Sequence, residues 1–223
     1  MIIYGKNPVK EALKSKKVRK VFFREQKIFD VGNTPFEILN KSEFDKKFSK
    51  HAQSVAAEVD FRYYDFDEVY EDIVLEENIA VLDKIQDPQN FGAIVRAGHC
   101  FGINYFIIPK HGSSSVTPAV FKASAGSIIY SKIVKVTNIA KTLDKLLDAG
   151  FFITAADING KKELSEIKTT KRNCIILGSE GEGIRPNVLK RAHITFKIEM
   201  TGKIDSLNVS QSAAITFYHF FKG

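Results

Sequence analysis

Tryptophan is absent from this chain of 223 residues, and cysteine and methionine occur only twice each. No apolar run approaches the roughly 20 residues that a bilayer core demands, so a membrane-spanning role is not expected. Only Met1-Ile2-Ile3-Tyr4 precedes the first charge, which is too short for the apolar core of a secretory signal. Cys100 and Cys174 each sit inside an apolar run without metal-ligand spacing, which reads as two buried, reduced thiols. His51, His99, His111, His193 and His219 are scattered, so no metal centre is expected. Repeats and low-complexity tracts are missing as well. What remains is a cytoplasmic, soluble, globular protein.

Charge is abundant and unevenly placed. Residues 1–50 carry 13 Lys and Arg against 6 Asp and Glu, residues 51–80 carry 1 against 9, and residues 81–223 carry 19 against 11. Two basic blocks therefore flank an acidic strip from Glu58 to Glu77. Basic blocks of this kind suit a polyanionic partner, nucleic acid above all, and equally suit a solvated lysine-rich surface.

The patterning divides the chain in two. Residues 1–70 read as a small α/β module. It has a helix from Pro8 to Lys17 capped by Asn7, a strand over Val18–Phe23 and a turn at Gly32-Asn33. A second helix, capped by Thr34, runs through Phe36, Leu39, Phe44 and Phe48, and a strand covers Ser54–Phe61. Such a module is better suited to binding than to chemistry. An acidic link over residues 71–78 follows. From Ile79 to the end, apolar strands near 79–85, 105–108, 133–136, 151–155, 174–177 and 194–198 alternate with amphipathic helices. That alternation predicts a parallel sheet covered on both faces, whose ligands bind beyond the carboxyl ends of the strands.

Three polar segments fall at those carboxyl ends. The first, Asn90-Phe91-Gly92-Ala93-Ile94-Val95-Arg96, sets an arginine into an otherwise apolar helix, where a buried guanidinium requires an anion or a ligand. The second, Gly178-Ser179-Glu180-Gly181-Glu182-Gly183, allows close backbone approach. It lacks the Gly-Lys-Ser/Thr ending of a phosphate cradle, and Glu180 and Glu182 would repel phosphates, so a cofactor with a cationic or amide-rich part fits better. The third, Ser206-Leu207-Asn208-Val209-Ser210, opens the last helix, where Ser206 can act as a simple cap.

In this order the three segments resemble motifs 1, 2 and 3 of the SpoU (TrmH-type) RNA 2′-O-methyltransferases. Tyr4-Gly5-Lys6-Asn7-Pro8-Val9-Lys10-Glu11-Ala12-Leu13 resembles the opening of the bacterial enzymes that modify a 23S rRNA guanosine. Lys122-Ala123-Ser124-Ala125-Gly126 is similar to the family's link between motifs 1 and 2. The resemblance implies an α/β fold whose C-terminal part is a parallel sheet tied in a trefoil knot, preceded by an L30e-like RNA-binding domain. It implies S-adenosyl-L-methionine as cofactor, with Gly178, Ile198, Met200, Gly202 and Leu207 around the adenosyl group. It implies Arg96, Asn90, Glu180, Ser206 and Asn208 as catalytic residues, rRNA as substrate and a homodimer as the assembly. Lys14, Lys16, Lys17 and Lys20 are the expected RNA contacts.

A guanidinium does not release its proton in proteins, so Arg96 is expected to stabilise developing negative charge rather than act as a base. Two departures from the family pattern stand out. Glu199 occupies a place where proline is usual, which is expected to loosen the pocket wall, and His99 stands where an acidic residue is usual. A tRNA ribose methyltransferase and a non-catalytic RNA-binding protein are the rival readings.

Overall fold

The computed structural model describes residues 1–48, 52–203 and 206–222. The N-terminal module is a four-stranded sheet in the order β1-β4-β2-β3, built from β1 (Ile2–Tyr4), β2 (Val18–Arg24), β3 (Phe36–Leu39) and β4 (Val55–Val59). Helix α1 (Lys6–Lys14) covers one face through Val9 and Ala12. Helix α2 (Lys41–Phe48) covers the other through Phe44 and Phe48, which pack with Phe22.

The N-terminal expectations need two corrections. Helix α1 begins at Lys6, so Asn7 lies inside it and caps nothing. The segment read as one helix from Thr34 is a strand followed by a helix. Val21 N–H donates to the Pro35 carbonyl, which starts the β2–β3 ladder. Asn40 then exchanges reciprocal 3.0 Å bonds with Glu43 in a capping-box pattern, and these open α2. The spacing of Phe36, Leu39, Phe44 and Phe48 spans that boundary and mimics a helical stripe.

The second sheet has eight strands in the order β10-β12-β9-β11-β6-β7-β8-β5, all parallel. They are β5 (Tyr64–Asp65), β6 (Asn78–Asp83), β7 (Tyr105–Pro109), β8 (Lys132–Val136), β9 (Phe152–Ala156), β10 (Lys162–Glu163), β11 (Asn173–Gly178) and β12 (Ile194–Lys197). Successive residues of β6 go to opposite cores: Ala80 and Leu82 join one cluster, Ile79 and Val81 the other. Burial on both faces is why these strands read as unbroken apolar runs. Helices α4 (Pro88–Cys100), α5 (Pro118–Ala123) and α8 (Val209–Lys222) line the first face. Helices α3 (Tyr70–Ile73), α6 (Ile139–Asp148) and α7 (Pro186–Leu189) line the second.

The acidic strip docks on the second module. Asp67 reaches Lys145 at 2.6 Å, Asp72 reaches Lys132 at 2.7 Å and Asp65 reaches Lys110 at 3.4 Å. Burial works against the Lys132 ammonium, but the hydrogen bonds it donates to Asp72 and Tyr105 outweigh it and raise its pKa. The strip thus neutralises part of the second basic block from within.

The two modules share one apolar core that runs from Ile3, Val9 and Val21 to Phe121 and Ile128. Polar ties reinforce it. Lys17 Nζ donates to the Ile129 carbonyl at 2.8 Å, and the Tyr130 hydroxyl lies 3.1 Å from both the carbonyl and the carboxylate of Glu11. Gly126, at φ +92°, lets the chain pass so close that a Cβ there would sit 2.8 Å from Pro8 Cα. His99 stacks on Tyr130 with ring centroids 5.2 Å apart, so it belongs to this seam.

Cys174 is buried, and burial pushes its thiol pKa up. Cys100 is exposed, contrary to expectation, because it ends α4 on the face turned from the core. Among the described residues no helix is long and apolar enough to cross a membrane.

Candidate functional site

After the short edge strand β5, the chain enters the middle of the second sheet at β6, moves outward through β7 and β8, and then returns to the other side of β6 at β9 and β11. The order of winding therefore reverses between β6 and β11, and ligands of open α/β sheets bind at such a reversal. The two strands pair in register to their carboxyl ends, with Gly178 opposite Asp83. The first two polar segments consequently leave the sheet side by side.

Local sequence holds each segment in shape. Asp87 caps α4 by accepting from the backbone N–H groups of Gln89 (3.3 Å) and Asn90 (3.0 Å), with Pro88 at the first helical position. Asn90 is buried beneath that first turn. After β11 the chain turns back on itself through paired bonds between Ser179 and Gly183, at 3.0 and 3.1 Å. A Cβ on Gly178 would lie 2.3 Å from the Gly183 carbonyl carbon, so only glycine permits that closure. Asp83, fully buried, then takes the Arg185 guanidinium at 2.7 Å and the Arg185 backbone N–H at 2.9 Å. This pair was not anticipated from the sequence, although an aspartate ending an apolar strand was a visible signal for a buried partner.

The third segment completes the cluster. Asn208 Nδ2 donates to Asn90 Oδ1 at 3.0 Å and to Glu180 Oε1 at 2.5 Å. Its Oδ1 accepts from Ser210 N–H at 2.9 Å and from the Ser210 hydroxyl at 2.6 Å. Two donors and two acceptors exhaust the carboxamide's capacity, which fixes its orientation. One residue from each segment thus meets at a single amide. Asn208, not Ser206, is the cap of α8, and Ser206 is exposed before it.

Arg96 departs from expectation. The buried stripe of α4 comprises Asn90, Phe91, Ile94, Val95 and Gly98, and the helical period turns Arg96 to solvent beside the half-buried Ala93 and Ala97. The guanidinium is therefore presented outward and makes no hydrogen bond or ion pair among the described residues.

Around the β11 and β12 ends, Gly178, Ile198 and Leu207 are half-buried, while Met200 and Gly202 are exposed. Glu199, expected to loosen this segment, has a side-chain partner. Its carboxylate accepts from the Ser165 backbone N–H at 3.2 Å and from the Ser165 hydroxyl. The hydroxyl bond is the main cause holding the Glu199 carboxyl below its usual pKa.

The four expected RNA-contact lysines are spread over different partners. Lys14 pairs with Glu11 at 2.7 Å, Lys20 with Glu37 at 2.8 Å, and Lys17 is the inter-module tie. Lys16 is exposed. Among the described residues no group of His, Cys, Asp and Glu could hold a metal ion.

The family model for the SpoU rRNA Methylase family matches residues 77–218, a span that contains all three segments. The chain belongs to that family. A second model, RNA 2′-O ribose methyltransferase substrate binding, matches residues 2–64. A relative from Staphylococcus aureus (strain MSSA476), assigned to the TrmH family of tRNA/rRNA methyltransferases, is 31% identical over 220 residues, covering 96% of this chain and 86% of its own length.

Two solved members show the same fold at 20% identity. The SpoU methyltransferase AviRb from Streptomyces viridochromogenes, in complex with the cofactor AdoMet, superposes with a TM-score of 0.83 over 100% of this chain and 89% of its own. The AdoMet-bound rRNA methyltransferase from Sinorhizobium meliloti gives 0.81 over 99% and 86%.

Proposed function

We propose that this chain transfers a methyl group from S-adenosyl-L-methionine to the ribose 2′-oxygen of an rRNA nucleotide, a 23S guanosine being the target that its N-terminal motif indicates. The observation that carries the reading is the meeting of Asn90, Glu180 and Asn208 at one saturated carboxamide. An apolar core has no use for such a cluster at a strand-end crevice, whereas a polar substrate and a charged cofactor do.

The residues present suit this cofactor. Ile198, Leu207 and Met200 offer partly free apolar surface to an adenosyl group, and Gly178 and Gly202 leave backbone approachable. Glu180 and Glu182 favour a cation over a phosphate. When bound, S-adenosyl-L-methionine supplies an electrophilic methyl group on a positively charged sulfur. This reading includes the threading of the C-terminal segment into a trefoil knot.

Arg96, outward-facing on α4, holds the developing negative charge of the ribose oxygen and pairs with a neighbouring phosphate. Asn90 and Glu180, locked by Asn208, fix the wall against which the ribose sits, and Ser206 lies at its rim. Positioning of this kind contributes several powers of ten in rate, and the proton displaced from the 2′-hydroxyl passes to solvent.

The four-stranded N-terminal module binds RNA, and the module of the eight-stranded sheet, to which β5 and α3 belong, carries the chemistry. Lys16 is free for phosphate, the exposed pairs of Lys14 and Lys20 exchange readily with it, and Lys17 serves the seam. The exposed apolar face formed by Ile215, Tyr218 and Phe221 of α8, beside Phe101, supports a homodimer.

The test is to map 2′-O-methyl sites by primer-extension stops at low nucleotide concentration, in cells with and without the gene. Purified Arg96→Ala protein is then assayed on the RNA so identified. Loss of one rRNA stop with the gene, and loss of transfer with retained cofactor binding in the variant, is the expected result. A missing stop in tRNA instead would move the substrate to tRNA, and full activity of the variant would remove Arg96 from the reaction.

A further inference from the structure

The N-terminal module carries an aromatic patch that the lysines of α1 do not explain. Strand β3 is the sheet's edge, paired only with β2. Phe36 and Ile38 project from it and are 45% and 49% exposed. Cations lie over two rings: Lys27 Nζ is 4.8 Å from the centre of the exposed Phe36 ring, and Lys10 Nζ is 5.4 Å from that of the half-buried Phe29. Buried Phe23 meets both Phe29 and Phe36 edge-on, with centroids 5.2 and 6.1 Å away. The Phe36 ring is thereby held from behind while much of it remains in solvent.

We propose that Phe36, Ile38 and Phe29, bordered by Lys27 and Lys10, form a stacking platform for a single-stranded stretch of the substrate RNA. This deepens the RNA reading given above and rests on it. An exposed aromatic held by a rigid neighbour presents a π-face to a base at low entropic cost, and every base has a matching face. Phosphates of the same strand meet the two ammonium groups. Lys27 also contacts Asp30 at 3.2 Å, an exposed pair that phosphate displaces at little cost.

Charge selects this occupant over a second copy of the chain. Residues 1–50 hold 13 cationic against 6 anionic side chains, so two such modules repel edge to edge, whereas RNA is attracted. Specific RNA recognition also favours unpaired loops whose bases can be splayed onto aromatic rings.

The test uses the whole chain and a fluorescein-labelled, mixed-sequence single-stranded RNA of about 12 nucleotides, followed by anisotropy across a salt series. Phe36→Ala is expected to weaken binding by about fivefold or more, with an unchanged salt slope, while Phe36→Tyr binds like the unmodified protein. Lys27→Ala and Lys10→Ala are each expected to lower the slope of log K against log salt by about 0.7. S-adenosyl-L-methionine affinity, measured by calorimetry, stays unchanged in all four.

Unaltered RNA binding by Phe36→Ala, or Phe36→Leu binding as well as Phe36→Tyr, would overturn the platform alone. So would a Phe36→Ala variant that loses only self-association in sedimentation, which would make a second copy the occupant. Failure of the unmodified protein to bind any RNA while still binding cofactor would instead sink the RNA reading, and the platform with it.

Discussion

The side-chain nitrogen of Asn208 lies 3.0 Å from the side-chain oxygen of Asn90, a residue 118 positions earlier in the chain. The same nitrogen serves Glu180, so the amide joins all three polar segments. Asn208→Asp removes both donated bonds and sets a second carboxylate beside Glu180. Like charges at that range disfavour joint ionisation and push the segments apart. The lost hydrogen bonds, one part-buried and one exposed, correspond to about 0.5–1.5 kcal/mol each. Methyl transfer measured in a single turnover is expected to fall by at least about tenfold, whereas the far-ultraviolet circular dichroism stays unchanged. Retained turnover in this variant would show that the three-way contact is incidental.

Gly178→Ala tests the proposed cofactor wall. The added Cβ would stand 2.3 Å from the Gly183 carbonyl carbon and 2.5 Å from its oxygen, both backbone atoms that cannot swing aside. The Ser179–Gly183 closure must open to admit it. Overpacking of this type costs about 1–3 kcal/mol. A lowered melting temperature together with a weaker calorimetric affinity for S-adenosyl-L-methionine is expected. A variant with normal affinity would place the cofactor away from this turn.

Arg185 is predicted to matter for folding more than for chemistry. Asp83 is fully buried, and the Arg185 side chain that satisfies it is 36% exposed. Arg185→Ala leaves the buried carboxylate with only the backbone N–H bond, a loss of about 2 kcal/mol or more. Asp83→Asn combined with Arg185→Ala is expected to be less destabilising than the sum of the single changes, because the unpaired charge is gone. Denaturant melts of the four proteins measure that coupling, and strict additivity would show that the pair contributes nothing jointly.

Much of the second module was legible because parallel strands buried on both faces announce themselves as apolar runs, and Val81, Ile107 and Ile176 sit where that pattern put them. The N-terminal module was less legible. Phe36 faces solvent from an edge strand, and its spacing to Leu39, Phe44 and Phe48 suggested one helix where a strand precedes a helix. At the site, the three segments that motif order grouped are joined by the contacts of Asn208 with Asn90 and Glu180. The burial of Arg96 was misjudged because Ala93 and Ala97 look apolar in sequence yet are small enough to lie at a helix margin. Glu199 was read as a loss of stiffness because only its missing ring was visible; its partner, Ser165, lies 34 positions earlier and no local pattern links them.

That partnership yields a pH prediction. Bonds from the Ser165 hydroxyl, and secondarily from backbone N–H groups, hold the Glu199 carboxyl below its ordinary value of 4.5. A depressed native pKa means that the stabilisation is fully present above the unfolded value and is lost as the pH falls through the native one. Because Glu199 lies between Ile198 and Met200, its strap braces the chain proposed to hold the adenosyl group. Glu199→Ala and Ser165→Ala are each expected to weaken S-adenosyl-L-methionine binding by about threefold to tenfold at neutral pH, an exposed hydrogen bond being worth about 0.5–1.5 kcal/mol. The double variant should be no worse than either single one, since both remove the same contact. Glu199→Gln keeps an acceptor but not the charge, so it is expected to bind nearly normally at neutral pH. Other depressed carboxylates, those of Glu11 and Asp72, titrate in the same acid range. The contribution of Glu199 is therefore the difference between the melting curves of the unmodified protein and Glu199→Gln below pH 4.5. If the two proteins lose stability identically on acidification, Glu199 is not a brace.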